Sequence, residues 1–317
     1  MNGTQAWFVG ECMVELRRAR DGLLAQTFSG DVYNTAVYFS RVSRRLSAHF
    51  VSTVGEDPLS DGLLNESIRQ GVHTDYVARN ATRQPGLYLI ETNARGERSF
   101  IYWRGQSAAR LMLDAEHAAR LHAAIDTCRL LYFSGITLAI LDDERRERLI
   151  KLACVVRERG GWVAFDSNYR PRLWADRDVA VRWVNVAFAA ATHALVTFED
   201  EVQLHEDESP DATLQRVLAS GAEDAVVKLG AEGCVVRSAV VNGARAVPAE
   251  AVTVLDTTAA GDSFNAGYLA ARWCGATPED AARAGSRLAG RVVAFPGAII
   301  DQAAMLDLLP AQSAQGD

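Results

Sequence analysis

From Asp256 to Gly267 the chain reads Asp-Thr-Thr-Ala-Ala-Gly-Asp-Ser-Phe-Asn-Ala-Gly. An apolar run ending at Leu255 precedes this stretch, and a helical pattern continues from it to Trp273. The small residues at 259–261 let the backbone approach a ligand closely. The first turn of a helix carries unpaired N–H groups and the positive end of the dipole, which makes it a site for an anion. Asp262 falls at that turn. Position alone would suit a helix cap, but beside so small-sided a turn the carboxylate reads as a base for the proton of an attacking hydroxyl. An anion site next to such a base fits transfer of a phosphoryl group, whose developing charge the turn would hold.

Elements must bring such a turn to a cleft. Strand candidates are Trp7–Gly10, His49–Val54, Leu130–Ser134, Trp162–Asp166, Ala194–Thr197, Ala225–Leu229 and Val252–Asp256. Helical patterns lie at Pro58–Gln70, Asp114–Thr127, Asp143–Arg159, Asp178–Ala190, Ala212–Ser220, Ala260–Trp273 and Pro278–Val293. The alternation predicts a three-layer α/β/α fold with a mostly parallel sheet covered on both faces. Most strand candidates end in polar or glycine residues: Gly10-Glu11, Gly55-Glu56-Asp57, Ser134-Gly135, Asp166-Ser167-Asn168, Thr197 and Lys228-Leu229-Gly230. Ligands of open α/β sheets bind beyond the carboxyl ends of the strands, so these residues should meet at one rim. Cys12–Asp31 and Gly86–Gly105 break the alternation. They read as short strands, with a hairpin turn at Ala94-Arg95-Gly96-Glu97, and together as one β-lid (12–31 and 86–105) on a single domain of residues 1–310. Residues 311–317 read as a flexible tail.

The bulk numbers narrow the class. With 317 residues and 49% hydrophobic composition the chain can bury a large core, and 23% charged residues is ordinary for a globular domain. A net charge of -7 argues against a general nucleic-acid binder, which needs a basic surface. Five dispersed cysteines without a Cys-x-x-Cys pair predict reduced thiols and a cytoplasmic protein rather than a disulfide framework or zinc site. The first ten residues have no signal-peptide pattern, and no stretch approaches the ~20 apolar residues of a membrane span.

The motif Asp256–Asp262 resembles the C-terminal motif of the ribokinase-like (PfkB) carbohydrate kinases, and other segments agree along almost the whole chain. Gly30-Asp31-Val32-Tyr33-Asn34-Thr35-Ala36 is similar to the family's N-terminal glycine segment, with Ser29 in place of its first glycine. Lys228-Leu229-Gly230-Ala231-Glu232-Gly233 is similar to its nucleotide-side element, and Pro296-Gly297-Ala298 to its closing Gly-Ala. The resemblance implies the family's ribokinase-like fold, with Asp262 as base and the amides of Ala260, Gly261 and Asp262 as the anion hole. It also implies Lys228, Gly230, Gly233 and Gly261 at ATP, magnesium with the nucleotide, and a monovalent cation such as K+ near Asp256 and Thr258. One departure stands out. Where many relatives have Asn-x-x-Glu for magnesium and phosphate, this chain has Thr197-Phe198-Glu199-Asp200, which leaves the protein ligands of magnesium unassigned.

Two arginine-bearing segments fall at the expected rim: Tyr102-Trp103-Arg104 and Asn168-Tyr169-Arg170-Pro171-Arg172. Arginine grips a carboxylate or phosphate through paired hydrogen bonds, so an acidic substrate is expected. The details resemble the bacterial members that act on 2-dehydro-3-deoxygluconate, in Gly10–Leu16, Pro85–Thr92, Ser134–Leu141 and Asn168–Trp174. That resemblance implies Gly30 and Asn34 at substrate hydroxyls, Tyr88, Tyr102 and Arg104 approaching from the lid, and Arg170 on the carboxylate with Asn168 nearby. It implies phosphorylation of the 6-hydroxyl and self-association through the lid, as a homodimer or higher oligomer. The residues leave open a kinase for 2-dehydro-3-deoxygalactonate, fructose or ribose, and a silent sugar-binding relative. A dinucleotide-dependent oxidoreductase is disfavoured because no Gly-x-Gly-x-x-Gly turn follows an early strand.

Overall fold

The structure, a computed structural model, describes residues 4–18, 22–92, 98–238 and 243–309. Its strands are β1 (Gln5–Val9), β2 (Met13–Arg18), β3 (Leu24–Ser29), β4 (Ser47–Gly55), β5 (His73–Asn80), β6 (Leu87–Thr92), β7 (Arg98–Trp103), β8 (Cys128–Ser134), β9 (Trp162–Asp166), β10 (His193–Thr197), β11 (Asp224–Lys228), β12 (Cys234–Ser238) and β13 (Arg245–Val247). Nine form one sheet in the order β13-β12-β11-β10-β9-β8-β1-β4-β5. Neighbours from β5 to β11 run parallel, and β12 and β13 turn back antiparallel.

Successive strand residues face opposite sides, and here both sides are buried. Trp7 and Val9 of β1, with Leu131 and Phe133 of β8, join a core beneath the helices Asp143–Glu158 and Arg177–Ala190. Ala6 and Phe8, with Leu130 and Tyr132, join the opposite core beneath Asp31–Val42, Ala260–Trp273 and Pro278–Val293. Burial on both faces is why these strands read as unbroken apolar runs.

The second sheet has the order β3-β2-β6-β7. β2 pairs parallel with β6, and each has an antiparallel partner, β3 and β7. It leaves the main sheet where β1 ends, and its first strand accepts this from the start: Gly86 O receives the Val14 N–H at 2.8 Å. The turn expected at 94–97 and the tail expected at 311–317 lie outside the described residues.

One expected strand is absent. Val252–Asp256 has no strand pairing, and Val252, Val254 and Leu255 are exposed. The sheet already ends at β13, so this segment instead crosses the end of a helix, where Leu255 and Asp256 donate to Val293 O. Three strands went unread: β5, β12 and β13. β5, His-Thr-Asp-Tyr-Val-Ala-Arg-Asn, is an edge strand with half-solvated residues, so it lacks an apolar run. The helices Asp31–Val42, Gly135–Ile140 and Phe198–His205 were also missed, the last two because they have only six and eight residues. The pattern at Asp114–Thr127 divides into a helix, Ala115–Ala123, capped by Asp114, and a 3₁₀ turn, Ile125–Thr127. All five cysteines are free.

Candidate active site

Asp262 sits in the first turn of the helix Ala260–Trp273, which the chain enters through Ala259 in a left-handed conformation (φ 61). An alanine tolerates that conformation at some cost, and the bend is what turns the helix start toward the cleft. Of the three amides expected to hold an anion, that of Ala260 bonds back to Thr257 O at 3.2 Å. Those of Gly261 and Asp262 belong to the turn where a helix supplies no acceptor. The Asp262 carboxylate accepts a 2.9 Å hydrogen bond from Asn34 Nδ2. Burial pushes its pKa up to about 8; Asp31 and then Asp166 add to this, while the Asn34 bond and Lys228 oppose it. A base poised near the working pH combines a useful deprotonated fraction with real proton affinity.

Asn34 is held from below. Its Oδ1 accepts from Ser29 Oγ at 3.2 Å and from Gly30 N–H at 3.4 Å. Gly30 begins the helix Asp31–Val42, and a Cβ there would lie 2.1 Å from Glu11 O, so only glycine lets the β1 end and this helix meet. Asn168 has a left-handed backbone (φ 31) and donates from Nδ2 to Asp31 Oδ2 at 2.8 Å. Gly30, Asn34, Asn168 and Asp262 thus meet through Asp31, although they are spread across more than two hundred positions of the chain.

Lys228, at the end of β11, is buried. Its Nζ donates to Asp166 Oδ2 at 2.7 Å and to Asn265 Oδ1 at 3.1 Å. Asn265 in turn donates to Asp166 Oδ2 at 2.7 Å and to Tyr132 OH at 2.9 Å. A side chain on Gly261 would start 3.4 Å from Lys228 Nζ. The lysine therefore borders the anion turn itself. Sequence reasoning had placed Lys228 with the nucleotide and had given no role to Asp166, Asn265 or Asp31. The polar end of β9 was the one available signal for Asp166.

The glycines of the same segment have turn duties. Gly230 and Gly233 have positive φ, 58 and 100, and a Cβ on Gly233 would lie 2.1 Å from Val247 O. Asp256 links two loops: Oδ1 accepts from Thr258 N–H at 3.0 Å and Oδ2 from Gly297 N–H at 2.7 Å. Nearby, a cavity of about 690 Å³ lies between Glu15–Ser29, the helix Pro58–Arg69 and Pro296–Ile299. Asp262 does not line it.

The two expected arginines differ in kind. Arg170 is 52% exposed; it donates to Tyr169 O at 2.7 Å and to Asp200 at 3.3 Å. Burial raises Asp200 to about 6, with Arg170 opposing. Arg104 is only 11% exposed and is ion-paired with the buried Glu11. On the second sheet Tyr88 is buried and donates to Glu15, while its cross-strand neighbour Tyr102 is exposed. Removing one partner of a buried pair strands the other charge. Arg104→Met is therefore expected to lower stability by about 3–5 kcal/mol, read as a lower urea midpoint at unchanged slope. An unaltered midpoint would mean that the pair carries no such weight.

A parallel-sheet rim carrying a poised carboxylate, an anion turn and a buried lysine is the apparatus of a small-molecule kinase. The chain matches the profile of the pfkB family carbohydrate kinases over residues 4–304 and belongs to that family. It is 38% identical over 304 residues to a 2-dehydro-3-deoxygluconokinase of Haemophilus influenzae, covering 95% of this chain and 97% of that one. It is 40% identical over 302 residues to the Escherichia coli protein of the same name, covering 94% and 97%. The solved 2-dehydro-3-deoxygluconokinase of Thermotoga maritima shares the fold, with a TM-score of 0.82 at 20% identity over 94% of this chain and 95% of that one.

Proposed function

We propose that this protein transfers the γ-phosphoryl group of ATP to the 6-hydroxyl of 2-dehydro-3-deoxy-D-gluconate, giving the 6-phosphate. The observation that carries this reading is the near full-length similarity to two kinases named for that sugar acid, in a chain that has a half-exposed arginine, Arg170, four residues past the end of β9. Asp262 takes the hydroxyl proton as the oxygen attacks the γ-phosphorus in line. The Gly261 and Asp262 amides, with Lys228 beside them, receive the charge spread over the phosphoryl oxygens. Asn34 orients the Asp262 carboxylate. Arg170 holds the substrate carboxylate, and Gly30, Asn168, Tyr88, Tyr102 and Arg104 frame the rest of the sugar. Gly230 and Gly233 shape the turn on the nucleotide side.

Magnesium bound with the nucleotide neutralises phosphate charge. Asp166 and Asp200 fit it: both are carboxylates near Lys228, offering the hard oxygen donors this ion takes, largely through water. A monovalent cation beside Asp256 and Thr258 would stiffen the link from Gly297 to the anion turn. The second sheet acts as a lid. Its exposed Phe100, Ile101, Tyr102 and Trp103 suit self-association. Among the described residues no helix is long and apolar enough to cross a membrane.

ADP release measured across a panel of sugars and sugar acids tests the assignment. The 2-dehydro-3-deoxygluconate rate is expected to exceed those with fructose and ribose, and a flat or neutral-sugar preference would overturn it. The pH profile tests the base. Asp262 works deprotonated, so kcat/KM is expected to climb through a midpoint near pH 8 and to level off only above it. Asp31→Asn removes a charge that raises that pKa, so it should move the climb to lower pH.

A further inference from the structure

Among the described residues, one group of histidines and carboxylates brings three metal-ligating atoms within 4.8 Å of one another: His49, His73 and Asp75. The pairing of strands builds it. His49 of β4 is the direct partner of His73 of β5, so both side chains stand on one face. Asp75 is two residues past His73, within the stretch where β5 carries one residue more than β4, and its Oδ2 lies near both rings. The ladder shifts register between His49 and Val51, a bulge of the kind that re-aims a side chain. The group lies toward the amino ends of β4 and β5, at the sheet edge, away from the rim that carries Asp262.

One side of the His49 ring is already engaged: Ser47 Oγ lies 3.0 Å from Nε2. The other nitrogen faces the cluster. His49 is 4% exposed, and its Nδ1 is buried with no hydrogen-bond partner. Nδ1 lies 3.4 Å from a carboxylate oxygen, Asp75 Oδ2, and His73 Nδ1 lies 3.9 Å from the same oxygen. Two ring nitrogens and a carboxylate oxygen thus converge around a buried, unpartnered nitrogen, an arrangement that a cation would satisfy.

We propose that His49, His73 and Asp75 form a divalent-metal site of the zinc class. Two imidazoles and a carboxylate, with water in the fourth position, suit a borderline-soft ion better than magnesium. Zn–N bonds of about 2.0–2.1 Å put neighbouring ligands of a tetrahedron roughly 3.3 Å apart, close to the His49–Asp75 separation. His73 now stacks on His49, with ring centroids 4.5 Å apart and 14° between planes. It must turn out of the stack to point at the ion, and its exposed ring has room to do so. Bound metal clamps the edge strand β5 to β4, a structural role apart from phosphoryl transfer.

The test is zinc titration of the chelator-stripped full-length protein, with excess Mg2+ present to fill hard oxygen sites and a chromophoric chelator as competitor. One ion per chain is expected, Co2+ in its place should give a tetrahedral visible spectrum, and thermal stability should rise with zinc. His73→Ala and Asp75→Asn alter exposed residues, so they should fold. Each is expected to weaken binding by at least the roughly 10–100-fold that even outer-sphere changes cost, and Ser47→Ala by about 10-fold through loss of the contact that orients the His49 ring. Cys274, an exposed free cysteine that could take up zinc by itself, is the control: Cys274→Ser should bind as the parent does, and kinase turnover should not change in any of these variants. No saturation below millimolar zinc, or binding that survives both His73→Ala and Asp75→Asn, would overturn the site.

Discussion

Asp262→Asn is expected to fold, to bind ATP, and to lose about 10²–10⁴ in kcat, the range a positioned general base supplies. The geometry says why only turnover should suffer. The side-chain oxygen of the variant can still accept the 2.9 Å bond from Asn34. The replacement also removes a carboxylate that burial and Asp31 already disfavour as an anion, so the helix start gains rather than loses stability. The Gly261 and Asp262 amides and Lys228 remain, so some phosphoryl stabilisation survives and activity should not reach zero. Steady-state rates, with nucleotide affinity measured by direct titration, separate the effects. Turnover within tenfold of the parent would remove Asp262 from the role of base.

Arg170→Ala is expected to cut kcat/KM for the sugar acid by roughly 10- to 150-fold, the equivalent of about 1.5–3 kcal/mol for a hydrogen bond to a charged group. Slow side activity on neutral sugars should change little. The contrast with Arg104 makes this the sharper experiment. Arg170 is half exposed, and its 3.3 Å contact with Asp200 is the kind of pair that solvent leaves weak. Exchanging that partner for a substrate carboxylate is therefore easy. Arg104 is locked to the buried Glu11, so its removal mixes binding with folding. An equal loss on acidic and neutral substrates would show that Arg170 supports the rim and does not read the carboxylate.

The central strands and the anion turn were legible because each is encoded locally. β8, β9 and β10 are buried on both faces and so carry continuous apolar residues, and the turn before Asp262 needs small side chains in consecutive positions. Edge elements escaped for the opposite reason. β5 has one neighbour and a half-wet face, so His, Asp, Arg and Asn occupy it, and no periodic apolar signal remains. Val252–Asp256 misled in the other direction. Its apolar residues imitate a strand, but the sheet has no place for them beyond β13.

By itself the sequence determined the α/β layering, the family resemblance and Asp262 as the candidate base, since these follow from residue types a few positions apart. Only the tertiary structure decided which charges meet. Lys228 finds Asp166 sixty-two positions away and Asn265 thirty-seven away. Asn34 finds Asp262 across 228 positions, and Arg104 finds Glu11 across 93. The first of these pairs exists because parallel strands β9 and β11 deliver their carboxyl ends to one rim, and the others because chain folding brings loops and helices to that same rim. Asp262 was therefore readable as a candidate from its local context, but the rise of its pKa to about 8, the feature that suits it to take a proton, comes from burial in the folded chain, with Asp31 and Asp166 adding to it against the Asn34 bond.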